Sequence, residues 1–300
     1  MVRRLSTAEL LLLATVSIWA FNFTVTRYVL THGFQPLAYA SWRYVGAAAI
    51  FAALTYAIEG SLRVERRDLP LLVAAAAFLS INQFTFHYGL KLTTASAGAL
   101  IMGTLPIFTA LIAAGTRVES LTARFAVAGL VSFGGVALVA IGSESGGGGS
   151  TPGNLLILGT AASWAAYSVT IAPLMRRYSP YRISSFVLAA VCLPLLVAGA
   201  GQISDQDWSL GTTVWAAAVF AIVGPIVLTN VLWFRAIARV GPSRATLVAN
   251  LQPFLAAVFA LVILSEEMTW VQIVGGAAIA AGIALARRRR AAGAEVPHAE

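Results

Sequence analysis

The sequence predicts an all-α integral membrane protein whose ten spanning helices form two inverted repeats of five. Three observations carry this reading. Of 300 residues, 59% are hydrophobic and only 11% charged, whereas soluble domains carry about 25% charged residues. The apolar residues fall in ten runs, each near the ~20 residues that a spanning helix needs. The chain also repeats itself. At a shift of 147, residues 96–138 match 243–285 at 12 positions without a gap, among them Ser96 with Ser243, Pro106 with Pro253, Glu119 with Glu266 and Gly135 with Gly282. A fixed-period match of this kind marks a duplicated structural unit.

The spans are placed near 9–31, 35–57, 69–90, 95–115, 122–141, 154–174, 181–201, 211–234, 243–264 and 268–286. Helices satisfy their own backbone groups, as a lipid environment requires. The cations orient them. With the amino terminus inside, inner segments hold 17 of the 20 Lys and Arg: Arg3 and Arg4; Arg63, Arg66 and Arg67; Arg117 and Arg124; Arg176, Arg177 and Arg182; Arg235, Arg239 and Arg244; and Arg287 to Arg290. Lys91 is the one outer cation, which makes a strong positive-inside pattern with both termini cytoplasmic and a plasma (inner) membrane location. The net charge of +8 is thereby topological, and no nucleic-acid partner is implied.

Five is odd, so the second copy enters the membrane from the opposite side. Arg117 and Arg124 follow the fourth span inside, while Glu266 and Glu267 follow the ninth outside. Inverted repeats of this sort build secondary transporters that bind substrate near the midplane. The organisation expected is a first repeat over 1–145, an exterior Gly/Ser linker over 146–153, a second repeat over 154–290 and a cytoplasmic tail over 291–300, with the whole joint from Gly142 to Gly153 flexible by composition.

Helical spacing selects the candidate binding residues. Thr15, Trp19, Asn22 and Thr26 form one stripe of the first helix, and Thr160, Trp164, Tyr167 and Ile171 form its counterpart in the sixth. Gln83 and Phe86 in the third correspond to Asn230 and Trp233 in the eighth. Tryptophans usually gather at membrane interfaces, so Trp19 and Trp164 at mid-span either pack between helices or line a cavity suited to an aromatic group. Amides at that depth face a partner helix or a wet cavity; Asn82 is assigned to interhelical bonding. Pro106 and Pro253 leave carbonyls near Met102 and Ala249 without donors, so Met102, Asn250, Gly103 and Thr104 form polar breaks or hinges. Gly129, Gly135, Gly276 and Gly282 permit close helix approach, within the chain or in a homo-oligomer.

Arg43 lies seven residues beyond Pro36, about 10 Å along its helix. It is read first as snorkelling or binding helix-end carbonyls, and second as recognising a substrate carboxylate. Arg27 snorkels and Lys91 anchors at the interface. His87 is read first as a satisfied core histidine, and second as a proton-coupling group. Cys192 fills core, and no metal site or cofactor is implied.

Ser17-Ile-Trp-Ala-Phe-Asn22, Trp42-Arg-Tyr44 and a Pro-centred fourth helix followed by Glu119 resemble the drug/metabolite transporter superfamily. Within it the chain is similar to EamA-type exporters, notably bacterial aromatic amino acid exporters of the YddG type. The resemblance spans residues 9 to 287. It implies efflux of an amino acid-like small molecule through a central cavity by alternating access. Nucleotide-sugar transporters share the architecture and stand as a distant alternative. No phosphate-binding Gly-x-x-x-x-Gly-Lys-Ser/Thr loop is present, and no Asp or Glu falls at mid-span, where ion-coupled carriers usually hold one. Facilitated diffusion is therefore the first expectation and proton antiport through His87 the second. An enzyme would need an acid, base or nucleophile cluster, and a channel a polar-lined open pore; the chain offers neither.

Overall fold

The computed structural model describes residues 7–115, 123–146, 149–240 and 251–287, and every regular element among them is helical. Helix α1 is Thr7–Thr31, α2 Pro36–Glu59, α3 Leu69–Leu92, α4 Ala95–Met102, α5 Leu105–Gly115 and α6 Ala123–Ser145. The second half supplies α7 Thr151–Ile171, α8 Pro180–Ser204, α9 Thr212–Ile222, a π turn Val223–Leu228, α10 Thr229–Val240, α11 Gln252–Ile263 and α12 Trp270–Arg287. Eight helical segments are long and apolar enough to cross a bilayer, with α11 and most of α12 as shorter apolar helices. Taking α4 with α5, and α9 with α10, gives the ten-span inverted repeat.

Local sequence sets the ends. Pro36, Pro152 and Pro180 stand in the first turns of α2, α7 and α8, where a missing N–H costs nothing. Thr94, Ser150 and Ser179 cap α4, α7 and α8 by accepting amides of Ala97, Gly153 and Arg182. Gly60 closes α2 at φ 65°, a left-handed conformation in which its amide reaches Tyr56 O. Pro106 breaks the fourth span as expected, and Gly103 and Thr104 at the break are buried. Thr104 is fully buried and its hydroxyl donates to Ile101 O at 2.8 Å, so one carbonyl at the break is satisfied locally.

Helix covers both ends of the stretch expected to be flexible, while residues 147–148 lie outside the described residues. Helix α6 continues through Ser145 and α7 begins at Thr151. Glu144 accepts the amide of Thr151 at 2.6 Å, and Asn154 bridges Ser143 and Thr93 at 2.9 and 2.7 Å. A carboxylate at a helix N-terminus favours the macrodipole, so helix forms where glycine content alone forecast coil.

Helices of one half pack on helices of the other. Helix α3 lies on α7 and α10 on α1, a symmetry-related pair of contacts; α2 lies on α8, and α6 on α12. At the last of these, a Cβ on Gly135 would meet Gly275 O at 2.6 Å, and one on Gly282 would meet Ala128 O at 2.7 Å. These two glycines therefore serve packing within the chain. One apolar cluster joins α1, α3, α4, α7 and α9 around Phe23, Phe34, Leu90, Ile101 and Ile157; a second joins α2, α3 and α8 around Phe51, Leu79 and Val191, with half-buried Cys192 against it.

The end bearing Thr7 is tied by Asp68, which is buried and accepts from Arg177 at 2.6 Å and from the Tyr178 hydroxyl at 2.8 Å. Half of the Arg177 side chain is exposed, which discounts the ion pair to about 1 kcal/mol. Asp68→Ala is expected to lower the melting temperature in detergent by about 2 °C, read by size-exclusion after heating; no shift would mean that Tyr178 and Arg177 find other partners.

Candidate functional site

A hydrogen-bonded chain crosses the middle of the bundle through five helices. Arg43 of α2 is 3% exposed and spends its guanidinium on neutral acceptors: His87 Nε2 at 3.2 Å, Asn22 Oδ1 at 3.3 Å and Ala221 O at 3.2 Å. His87 of α3 is fully buried, and its Nδ1 lies 2.8 Å from Gln83 O. Gln83 donates to Asn82 Oδ1 at 2.7 Å, and Asn82 donates to Thr160 O of α7 at 2.9 Å. The guanidinium also lies over the Tyr39 ring, 5.2 Å from its centroid. Arg43 does not snorkel. It takes the alternative of binding a helix-end carbonyl, and the sequence explains which one. Pro225 has no N–H to give the carbonyl four residues before it, so Ala221 O is left open where α9 passes into the π turn, and Arg43 fills it.

This geometry fixes the state of His87. A carbonyl accepts only, so Nδ1 carries the proton; a guanidinium donates only, so Nε2 must accept. The imidazole is neutral.

The aromatic candidates form two groups. Trp19 Nε1 donates to Thr229 Oγ1 at 2.9 Å, and its ring meets Trp233 at 5.1 Å, so α1 and α10 are joined across the repeat. Trp164 and Tyr167 of α7 lie 5.4 Å apart. Thr160, Ala161, Ser163 and Ala165 surround Trp164 on its helix and are buried, whereas Leu155 on the opposite face is exposed. Trp164 is nevertheless 37% exposed. Trp164 therefore presents accessible aromatic surface beside the buried residues of its helix. Among the described residues no ring contact joins the two groups.

Of the remaining candidates, Asn22 is half-buried beside Arg43, and Asn230 is half-buried with its amide donating to Ile226 O of its own helix. Met102 ends α4 half-buried against the first apolar cluster. Phe86 does not face a cavity: it is 8% exposed and packs edge-on to Phe23 at 5.5 Å. Gln83 is likewise buried and held by Asn82. Asn250 lies outside the described residues. Sequence reasoning missed Thr229, Ala221 and Pro225, although a proline in mid-span was the signal already used at Pro106. Arg27 and Lys91 cap helix ends: Arg27 donates to Leu90 O and Lys91 O, both at 2.7 Å, and Lys91 donates to Leu30 O.

The sequence profile of the EamA-like transporter family matches residues 6–141 and again residues 151–288. The chain belongs to the EamA-like transporter family. It is thus a multi-pass membrane transporter of the drug/metabolite superfamily, and its function class is transport rather than catalysis. The "probable terminal-alkyne amino-acid exporter" of Streptantibioticus cattleyicolor is 28% identical over 95% of each chain. The "probable amino-acid metabolite efflux pump" of Salmonella typhimurium is 24% identical over 91% of this chain and 92% of its own length. The Bacillus subtilis transporter YyaM is 25% identical over 87% of each. A solved crystal structure, 21% identical, superposes with a TM-score of 0.62 over 95% of this EamA-like chain and 97% of its own, which shows the fold.

Proposed function

We propose that the protein exports amino acids or amino acid-like metabolites with apolar or aromatic side chains across the inner membrane, both termini lying in the cytoplasm. The observation that carries the proposal is Trp164, a large aromatic that stays accessible among buried neighbours on α7, with Tyr167 beside it. The Trp19–Trp233 pair and the half-buried amides of Asn22 and Asn230 add apolar and hydrogen-bonding surface at comparable depth. Such a mixture suits a zwitterion with a hydrophobic side chain. The names of two relatives point to the same class. At the end opposite Thr7, Gln202, Gln206 and Glu266 tie the second half to the first, which closes that end.

Facilitated flux is favoured over proton antiport. A second proton on His87 would turn Nε2 into a donor facing the Arg43 donors at 3.2 Å, an arrangement with two like charges in low dielectric.

The test is uptake of radiolabelled phenylalanine and tryptophan into proteoliposomes, with and without a pH gradient, against threonine and a nucleotide sugar. Saturable aromatic flux indifferent to pH supports the proposal; flux of the nucleotide sugar alone overturns it. Trp164→Ala is expected to reduce aromatic flux about tenfold at unchanged membrane level. Unchanged flux would remove Trp164 from the path.

A further inference from the structure

Arg43 stands deep in the membrane, with no counter-ion among the described residues. The ion pairs among the described residues are Arg67 with Glu65, Arg177 with Asp68 and Arg182 with Glu59, all near helix ends or in loops. Its three partners are neutral, and its buried Nε has no partner among the described residues. The duplication did not produce this arrangement, because the positions 147 residues on from Arg43 and His87 are Ala190 and Phe234. A structural role in helix packing would be met by a neutral donor. Replacing a buried charge with a well-packed neutral group is often neutral or stabilising, so an uncompensated cation here points to its field.

That field reaches accessible surface through Asn22, which is half-buried. Asn22 Oδ1 accepts from Arg43 at 3.3 Å and from the Thr26 hydroxyl at 3.5 Å, which commits the oxygen to the protein side and turns the amide NH2 away from it. The side chain is half-buried, on the same stripe as Trp19. An amide polarised by a cation behind it is a stronger donor, and a carboxylate is the group that a polarised NH2 backed by positive potential would hold.

We infer that Arg43, acting through Asn22, is the charge filter of the transport path: it selects substrates that carry a carboxylate and rejects cations. This rests on the amino-acid reading above and adds to it the part of the substrate that is recognised. The filter discriminates phenylalanine and 3-phenylpropionate, which have the carboxylate, from 2-phenylethylamine, which has the same ring and only a positive charge.

The experiment measures binding of 3-phenylpropionate and of 2-phenylethylamine to the purified full-length protein by quenching of intrinsic tryptophan fluorescence, alongside phenylalanine flux in proteoliposomes. The wild type is expected to prefer the acid by about tenfold or more. Asn22→Asp sets a carboxylate against the guanidinium; it is expected to keep the fold, since it gains an ion pair, and to abolish the preference. Arg43→Gln is expected to do the same. If Arg43→Gln fails to fold, Asn22→Asp decides alone. Equal binding of acid and amine by the wild type, or an undiminished preference in folded Asn22→Asp, overturns the inference. Acid preference without phenylalanine flux leaves the filter standing and removes the amino-acid reading instead.

Discussion

Gly135→Leu is expected to leave little folded protein in detergent, while Gly134→Leu next to it is expected to behave as wild type. Helices α6 and α12 touch backbone to backbone at Gly135, where a Cβ would lie 2.6 Å from Gly275 O and 2.8 Å from Ile279 N. Both obstacles are main chain, so no side chain can rotate out of the way and the helices must separate. Overpacking of a tight site costs about 1–3 kcal/mol even when side chains can give, and a whole isobutyl group against backbone exceeds that. Set against a net stability of about 5–15 kcal/mol, the loss is large. Added bulk at Gly134 meets nothing within 4 Å. Size-exclusion profiles of the two variants at equal expression check this, and a monodisperse Gly135→Leu would contradict the close approach. Gly282→Leu is expected to repeat the result, since its Cβ would meet Ala128 O at 2.7 Å.

The glycine pair also shows what the sequence could and could not disclose. That residues 135 and 282 occupy equivalent places is visible in the repeat, because duplicated backbone keeps duplicated close contacts. Positions 129 and 276 are equally matched, yet Gly129 has only Ile107 at 4.0 Å. Matching identifies equivalence and says nothing of distance. The spans were legible for the same reason that the fold exists, since lipid admits only long apolar helices. The stripe through Trp19 and Asn22 was legible as well, because helical period sets which residues share a face. Phe86 was not: it shares the stripe of Gln83, but whether that stripe faces a hollow or Phe23 depends on which helix lies opposite. Nor was the Arg43 cluster. Its partners lie 44 and 178 residues away, and Ala221 becomes a partner only because a proline four residues later withholds a donor. That consequence is local in the chain, whereas its satisfaction by α2 is purely tertiary.

Glu266→Ala is expected to loosen the closed end of the bundle. The Glu266 carboxylate, from the turn before α12, accepts the amide of Ala95 at 2.8 Å, the amide of Ser96 at 3.0 Å and the Ser96 hydroxyl at 2.8 Å. One residue of the second half thus caps α4 of the first, with its charge set against the positive end of the helix. Three charge-assisted bonds at a half-buried site are worth more than neutral ones, and a loss of about 1.4 kcal/mol already changes a two-state population tenfold. In a Cys192→Ser background, Ala97→Cys reports on this directly, because Ala97 is fully buried two residues into the capped turn. Adding Glu266→Ala is expected to speed its reaction with a membrane-impermeant maleimide about tenfold, whereas Glu267→Ala, an exposed neighbour, is expected to leave the rate unchanged. Equal rates in both variants would mean that the apolar cluster around Phe34 and Leu90 holds the closed end without the carboxylate. The distinction bears on transport, since a seal made by one removable cap can open on each cycle, while a seal made by the full apolar core cannot open without unpacking it.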